Sequence, residues 1–152
     1  FEGMEHFKEA IKQFIVENGW NPLLTTSPAI KEVFADTDVE FQEDYNNLRR
    51  NRNVSLIDCE CMIAQTGSIL VSETTAGSRA AYSSADTLLI LARPSQFVAK
   101  MKDALWFMKE KYGDEQPSSM TIISGPSCST DIENIPVIGV YGCKQLALFL
   151  VE

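Results

Sequence analysis

The sequence predicts a single α/β domain built on a substantially parallel sheet. Apolar segments of strand length alternate with amphipathic segments of helical period along the chain. One of them, Thr87 to Ala92, is apolar almost throughout, the pattern of a strand buried on both faces. A chain of 152 residues, 45% hydrophobic and 22% charged, has enough material for one core without disulfides or metals.

Phe1-Glu2-Gly3 ahead of Met4 reads as the remnant of an expression tag, so the domain is placed at residues 4–152. Met4, Phe7, Ile11, Phe14 and Ile15 recur at helical spacing, with Glu5, Lys8, Glu9, Lys12 and Gln13 between them. This predicts an amphipathic helix docked on a core and stopped by Asn18-Gly19. Trp20 to Thr26 follows as a strand. Ser27-Pro28 is an N-cap and first-turn pair opening a short helix through Phe34. Val39-Glu40-Phe41 alternates like a strand, and Asp44 to Asn53 reads as a short helix or surface loop. Val54 to Ile57 is a strand leading into a Cys59-Glu60-Cys61 turn. Gly67 to Glu73 is β-rich, and Thr74-Thr75-Ala76-Gly77 has the composition of a loop. Ser78 to Ser84 has room for one helical turn before the Thr87–Ala92 strand. Pro94-Ser95-Gln96 is expected to open the longest helix, Gln96 to Tyr112, closed by Gly113, with Phe97, Met101, Leu105 and Met108 on its core face. Strands are expected at Met120 to Ser124, Val137 to Val140 and Leu146 to Val151.

The composition excludes several functions. A formal charge of −8 argues against a nucleic-acid binder, which needs clustered Lys and Arg. The one basic cluster, Arg49-Arg50-Asn51-Arg52, reads as a solvated loop. No apolar run approaches the roughly 20 residues that span a bilayer, and there is no signal-peptide pattern, so no membrane role and a cytoplasmic location are expected. Cys59, Cys61, Cys128 and Cys143 are read as free thiols, one of the C-x-C pair packing inward as a small hydrophobe. C-x-C is not the C-x-x-C of zinc ribbons or cluster-binding runs. With His6 the single histidine, on the exposed side of the first helix, triads and a His-based metal site are set aside. Neither G-x-G-x-x-G nor a Walker motif is present.

Two small-residue loops remain as candidates for chemistry. Gln65-Thr66-Gly67-Ser68 offers an amide, two hydroxyls and N–H groups around a glycine that lets backbone approach closely. Ser124-Gly125-Pro126-Ser127, with Ser129 and Thr130, offers hydroxyls and N–H groups at the end of an apolar strand, where open α/β folds place ligands. Such loops form anion nests, or they are tight turns and caps; Thr130 to Glu133 has capping-box spacing. Asp131 and Glu133, two apart, fall on different faces of a helix and make a poor acid/base pair.

These same stretches resemble a known family. I-S-G-P-S-C-S-T-D-I-E (123–133) followed by V-I-G-V-Y-G-C (137–143) is similar to the C-terminal signature of the lactate utilisation protein C family (LutC/YkgG, the LUD domain). The family pattern runs close to I-S-G-P-S-x-T-x-D-I-E and then G-x-H-G-P. Tyr141 stands where the histidine is usual and Cys143 where the proline is. I-A-Q-T-G-S-I-L (63–70) resembles the family's I-A-E-T-G-T-L, with Gln65 for the glutamate and Ser68 for the threonine. Asp86 to Leu91, Ser95 to Val98 and Glu5 to Lys8 match more weakly, so the resemblance covers nearly the whole chain. The N-terminal arm common in the family is missing from it.

The resemblance implies the fold of the sugar-phosphate isomerase, ribose-5-phosphate isomerase and CoA-transferase group, with a Rossmann-like, mostly parallel sheet flanked by helices. It implies a component of an iron–sulfur system that oxidises L-lactate to pyruvate, the cluster residing in partner oxidoreductase subunits and no cofactor or metal in this chain. Gln65 and Tyr141 remove two groups that would ionise near neutrality. The leading expectation is an accessory subunit holding a small carboxylate or phosphorylated ligand, or a partner, through Gln65, Thr66, Gly67, Ser68, Ser124, Gly125, Pro126, Ser127, Thr130, Asp131 and Gly142. One rival is a stand-alone enzyme of the isomerase or CoA-transferase type with Glu60, Asp131 or Glu133 as the catalytic carboxylate. Another is a purely structural assembly module. The oligomeric state is left open, a homo-oligomer included. Whether one of the three carboxylates points into a pocket beside the two loops discriminates between them.

Overall fold

The computed structural model describes residues 1–20, 22–45, 53–130 and 135–152. Helix α1 (Met4–Asn18) ends at Gly19, where a φ of 65° turns its N–H back onto Val16 O. Strand β1 (Leu23–Leu24) leads to α2 (Pro28–Val33), which starts on a proline whose missing N–H costs nothing there. Then come β2 (Phe41–Gln42), β3 (Val54–Asp58), β4 (Cys61–Ile63) and β5 (Ser68–Ser72). Short helices α3 (Glu73–Ala76) and α4 (Ala80–Ser83) precede β6 (Thr87–Ala92). Strand β7 (Phe97–Val98), helix α5 (Met101–Tyr112) and strands β8 (Met120–Ile123), β9 (Cys128–Ser129), β10 (Val137–Ile138) and β11 (Gln145–Leu150) complete the chain.

The central sheet has the order β11-β6-β3-β1-β2, and every pair in it is parallel. Numbered along the chain within this sheet, that is the doubly wound order 2-1-3-4-5. The expected α/β fold with a mostly parallel sheet flanked by helices is the one observed. A second sheet, β7-β4-β5-β8, is mixed: β4–β5 and β5–β8 run antiparallel and β4–β7 parallel. Strands β9 and β10 form a separate antiparallel pair.

Three apolar layers result. Phe7 and Ile11 of α1 and Ile30 of α2 cover one face of the central sheet against Leu56, Leu89, Leu91 and Phe149. The other face, with Ile57, Leu88 and Ile90, packs against Ala76, Ala81, Tyr82 and the inner side of the second sheet, Met62, Ile69 and Val71. The outer side of that sheet, Cys61, Ile63 and Leu70, lies under Ala104 and Met108 of α5. Alternation along β5 thus sends Ile69 and Val71 to one core and Leu70 to the next. This explains why both members of the C-x-C pair are buried rather than one: Cys59 joins the middle core and Cys61 the one beneath α5.

Four expectations need correction. Thr74 to Gly77 is not loop: the Ser72 hydroxyl accepts from Thr75 N at 3.2 Å and caps α3, which runs to Ala76. Pro94–Gln96 forms one 3-10 turn, not the start of a long helix. The Gln96 amide accepts from Arg93 N (2.6 Å) and donates to Cys59 O (2.6 Å), and the chain leaves extended as β7 beside β4. The helix therefore begins at Met101 and, at 12 residues, is shorter than the 15 of α1. That later start also changes its inner face to Ala104 and Met108, with Phe97 and Leu105 exposed. Phe1 stacks on Phe149 with centroids 5.9 Å apart. The Arg49–Arg52 cluster lies outside the described residues.

Candidate functional site

Strand β8 is an edge of the second sheet, and its last residue leads into Ser124. Gly125 turns the chain at φ +114°, a conformation L side chains rarely adopt. Ser127 then ties this turn to the segment ahead of β11. Its N–H donates to Cys143 O (2.8 Å), its carbonyl accepts from Gly139 N (2.9 Å), and its hydroxyl accepts from Tyr141 N (3.2 Å). A Cβ at Gly142 would come to 3.4 Å from Ser127 Cβ, so the two segments lie within van der Waals contact there. The result is a cleft of ≈ 490 Å³ between the β8 edge and the 141–143 segment. Ser124, Gly125, Ser127, Cys128 and Ser129 form one wall, Tyr141, Gly142 and Cys143 another, and Tyr82, Ser83 and residues 121–123 complete it.

The two loops singled out in the sequence do meet: Ser68 Oγ lies 2.7 Å from Ser124 Oγ. They contribute unequally. Residues 64–67 are the exposed tip of the β4–β5 hairpin and do not line the cleft. Three successive N–H groups are taken, Ala64 by Val98 O, Gln65 by Ala99 O and Thr66 by Ile63 O, so they are not available as an anion nest. Gly67 is favoured by its φ of +63° and not by close approach, since nothing lies within 4 Å of where its Cβ would be. Ser68 reaches the site only through Ser124. Pro126 and Thr130 are exposed and do not line the cleft either, while Ser124, Gly125, Ser127 and Gly142 do. Asp131 and Glu133 lie outside the described residues.

Glu60 is at the other end of β5. Its carboxylate is fully buried, with Oε1 accepting from Ser72 Oγ (2.5 Å), Thr75 Oγ1 and Tyr112 OH (2.8 Å), and Oε2 from Lys111 Nζ (2.7 Å). Ser72 and Ser68 face the same side of β5 four residues apart, about 13 Å at ~3.3 Å per residue. Burial pushes the Glu60 carboxyl up, but the hydrogen bonds from Lys111, Ser72, Thr75 and Tyr112 outweigh it and hold it below the usual glutamate range. A general acid or base would need the opposite, a raised value, and a nucleophilic carboxylate would need an open pocket. Glu60 is fully buried and away from the cleft. Burial raises the three buried thiols, Cys61 to about 11, so they are protonated and inert near neutrality.

Among the described residues no Asp, Glu, Lys, Arg or His lines the cleft, and no group of His, Cys, Asp and Glu is placed to hold a metal ion. The walls offer hydroxyls, backbone and two phenol rings beside the apolar side chains of Ile122 and Ile123 and the thiols of Cys128 and Cys143, chemistry suited to a small molecule with both polar and apolar parts. The cleft also departs from the expected position. Strand β8 pairs antiparallel with β5 in the mixed sheet, and Cys143 precedes β11, so the cleft flanks the amino end of a parallel strand of the central sheet and not the carboxyl ends. Sequence reasoning missed Tyr82 and Ser83, which carry no motif, and noticed Tyr141 only as a departure from a pattern. No described helix is long and apolar enough to cross a membrane.

A family model described as the LUD domain matches residues 5–151. A protein named lactate utilization protein C from Bacillus licheniformis is 29% identical over 66% of this chain and 42% of its own length. One of the same name from Anoxybacillus flavithermus is 24% identical over 89% of this chain and 65% of its own. The uncharacterized protein YkgG of Escherichia coli is 38% identical over 41% of this chain and 25% of its own. The matches therefore span from a quarter to just under two thirds of these relatives. The crystal structure of a DUF162 family protein from Deinococcus radiodurans superposes with a TM-score of 0.65 at 16% identity, covering 95% of this chain and 81% of that one. That likeness shows the fold.

Proposed function

The chain belongs to the LUD domain family, and from that premise we propose that it is a ligand-binding, non-catalytic component of a lactate-utilisation system. The names of its relatives support the system. The observation that carries the role is the chemistry of the cleft: hydroxyls and backbone beside Ile122 and Ile123, with no charged side chain among the described residues. The one described carboxylate candidate, Glu60, is buried and paired at the far end of β5. A small hydroxy- or keto-carboxylate suits these donors, held by the Ser124 and Ser127 hydroxyls and the Gly142 backbone. Redox chemistry, with its iron–sulfur cluster, belongs to a partner subunit in this reading.

A thermal-shift series with L-lactate, pyruvate, sugar phosphates and CoA esters tests it. A ligand specific to the native state at a hundred times its Kd adds ~2.7 kcal/mol, a rise in Tm of roughly 5–10 °C for a domain of this size. The expected result is a shift with lactate or pyruvate that S124A reduces and E60A retains. Steady turnover of a CoA ester or sugar phosphate, abolished by E60Q, would replace this reading with the enzymatic one.

A further inference from the structure

Two sheet edges line the cleft: β8 is the last strand of the second sheet, and β9 is paired with β10 alone. Alternation along each strand fixes which of its backbone groups are free. Glu73 N donates to Ser119 O (3.4 Å), so Thr121 and Ile123, two and four residues on, turn their N–H and C=O towards Val71 and Ile69 of β5. Met120 and Ile122 turn theirs outward. Likewise Gly139 N donates to Ser127 O (2.9 Å), and Ser129 stands opposite Val137. The N–H and C=O of Cys128, between them, point away from β10. Among the described residues, nothing hydrogen-bonds the backbone of Met120, Ile122 or Cys128 on those sides. Ile122 and Cys128 both line the cleft.

We infer that the cleft takes an extended peptide segment of a partner protein, which enters as a strand beside β8 and turns its other edge to Cys128 of β9. A row of free N–H and C=O groups is a template for extended backbone. A small ligand reaches one or two of these groups, whereas a strand meets those of both edges at once. A second copy of the chain does not fit, because Tyr141, Gly142 and Cys143 stand opposite β8 and leave no room for a strand that carries its own sheet with it. The lining sets the chemistry of the segment. With no charged side chain among the described residues of the cleft, the enclosed part is uncharged. Its alternate residues are apolar, beside Met120 and Ile122, which are 42% and 41% exposed on one side of β8. The residues between are small and polar, towards Tyr82 and Ser83. This inference shares the cleft with the small-ligand reading but uses the backbone of β8 and β9 and not the serine hydroxyls.

The test titrates the blocked peptide acetyl-Thr-Val-Thr-Val-Thr-amide to millimolar concentration into the whole, isotope-labelled chain. The amide resonances of Ile122 and Cys128 are expected to move and their hydrogens to exchange more slowly, while Thr121 and Ile123, already bonded to β5, change less. The same peptide N-methylated at every residue keeps its side chains, loses its donors and is expected to leave the spectrum unchanged. Ile122→Pro removes one outward N–H and spares the β5–β8 ladder, a position at which an edge strand tolerates proline. It is expected to weaken binding about tenfold, with circular dichroism reporting the fold; the N-methylated peptide decides the matter even if this variant does not fold. No movement at Ile122 and Cys128, equal binding of the N-methylated peptide, or movement confined to another edge such as β11 would overturn the inference. Thermal shifts with L-lactate and pyruvate are measured separately, so either reading of the cleft fails alone.

Discussion

Lys111 Nζ lies 2.7 Å from Glu60 Oε2, tying the last turn of α5 to the connection between β3 and β4 across 51 residues of chain. Glu60 is fully buried while the Lys111 side chain is 43% exposed. Removing either partner therefore has unequal consequences. Glu60→Ala strands the ammonium and three hydroxyls, and a loss of about 3 kcal/mol is expected. Lys111→Met leaves the three hydroxyls on the carboxylate, and water screens the lysine, so the loss is nearer ~1–2 kcal/mol. Urea unfolding midpoints of the two variants measure both. Equal stability of Glu60→Ala and wild type would remove the structural role assigned to this pair.

The same carboxylate sets an acid limb to stability. Folded Glu60 titrates below 4.5, its value when unfolded. Between the two values the unfolded chain holds the proton and the folded one does not, so stability falls as pH drops through this interval. The contribution is complete above about pH 5. For Lys111 the sign is opposite. Burial lowers it, the Glu60 carboxylate more than offsets this, and the folded value stands above 10.5. That contribution is complete below 10.5 and is lost as pH rises through the folded value. Asp36, Asp38 and Glu73 are lowered too, by Lys8, Lys12 and Ser118, but identically in a Glu60 variant. Unfolding free energies between pH 3 and pH 6 should thus fall less steeply for E60Q, by up to ~1.4 kcal/mol per pH unit for one proton. Parallel curves would mean that Glu60 has the same affinity for protons folded and unfolded.

Two glycines with positive φ separate folding from binding. At Gly67, φ is +63° in an open hairpin tip, the ordinary left-handed region. Gly67→Asn is expected to be tolerated and Gly67→Val to cost about 1–2 kcal/mol, with ligand shifts intact in both. At Gly125, φ is +114°, where no side chain is comfortable, and the residue lines the cleft. Gly125→Val should stay folded by circular dichroism yet give no thermal shift with any ligand that stabilises wild type. Retained shifts in Gly125→Val would move the site elsewhere.

Much of this architecture was legible in residues 4–15, 28–34 and 87–92, where period and caps agree with the tertiary packing. Phe7 and Ile11 are core because helical spacing puts them on one face. Thr87–Ala92 is buried throughout because a parallel strand has cores on both sides. The pairing of the two small-residue loops was legible as well, though not its form. The sequence marks Gly67 and Gly125 alike, but one ends a hairpin turn in open space and the other bends a cleft wall. Tyr82 and Ser83 had no signal at all, since they enter the site only because α4 packs beside the edge strand β8.

The sequence by itself determined the fold class and the family, because periodicity, composition and motif identity are local properties of the chain. Only the tertiary structure decided where Glu60 goes. Its neighbours Cys59 and Cys61 are drawn into different cores, and that geometry commits the carboxylate between them to Ser72, Thr75, Lys111 and Tyr112, a sheet's length from the cleft. Four donors separated from it by up to 52 residues hold it there, and no local pattern records such a meeting.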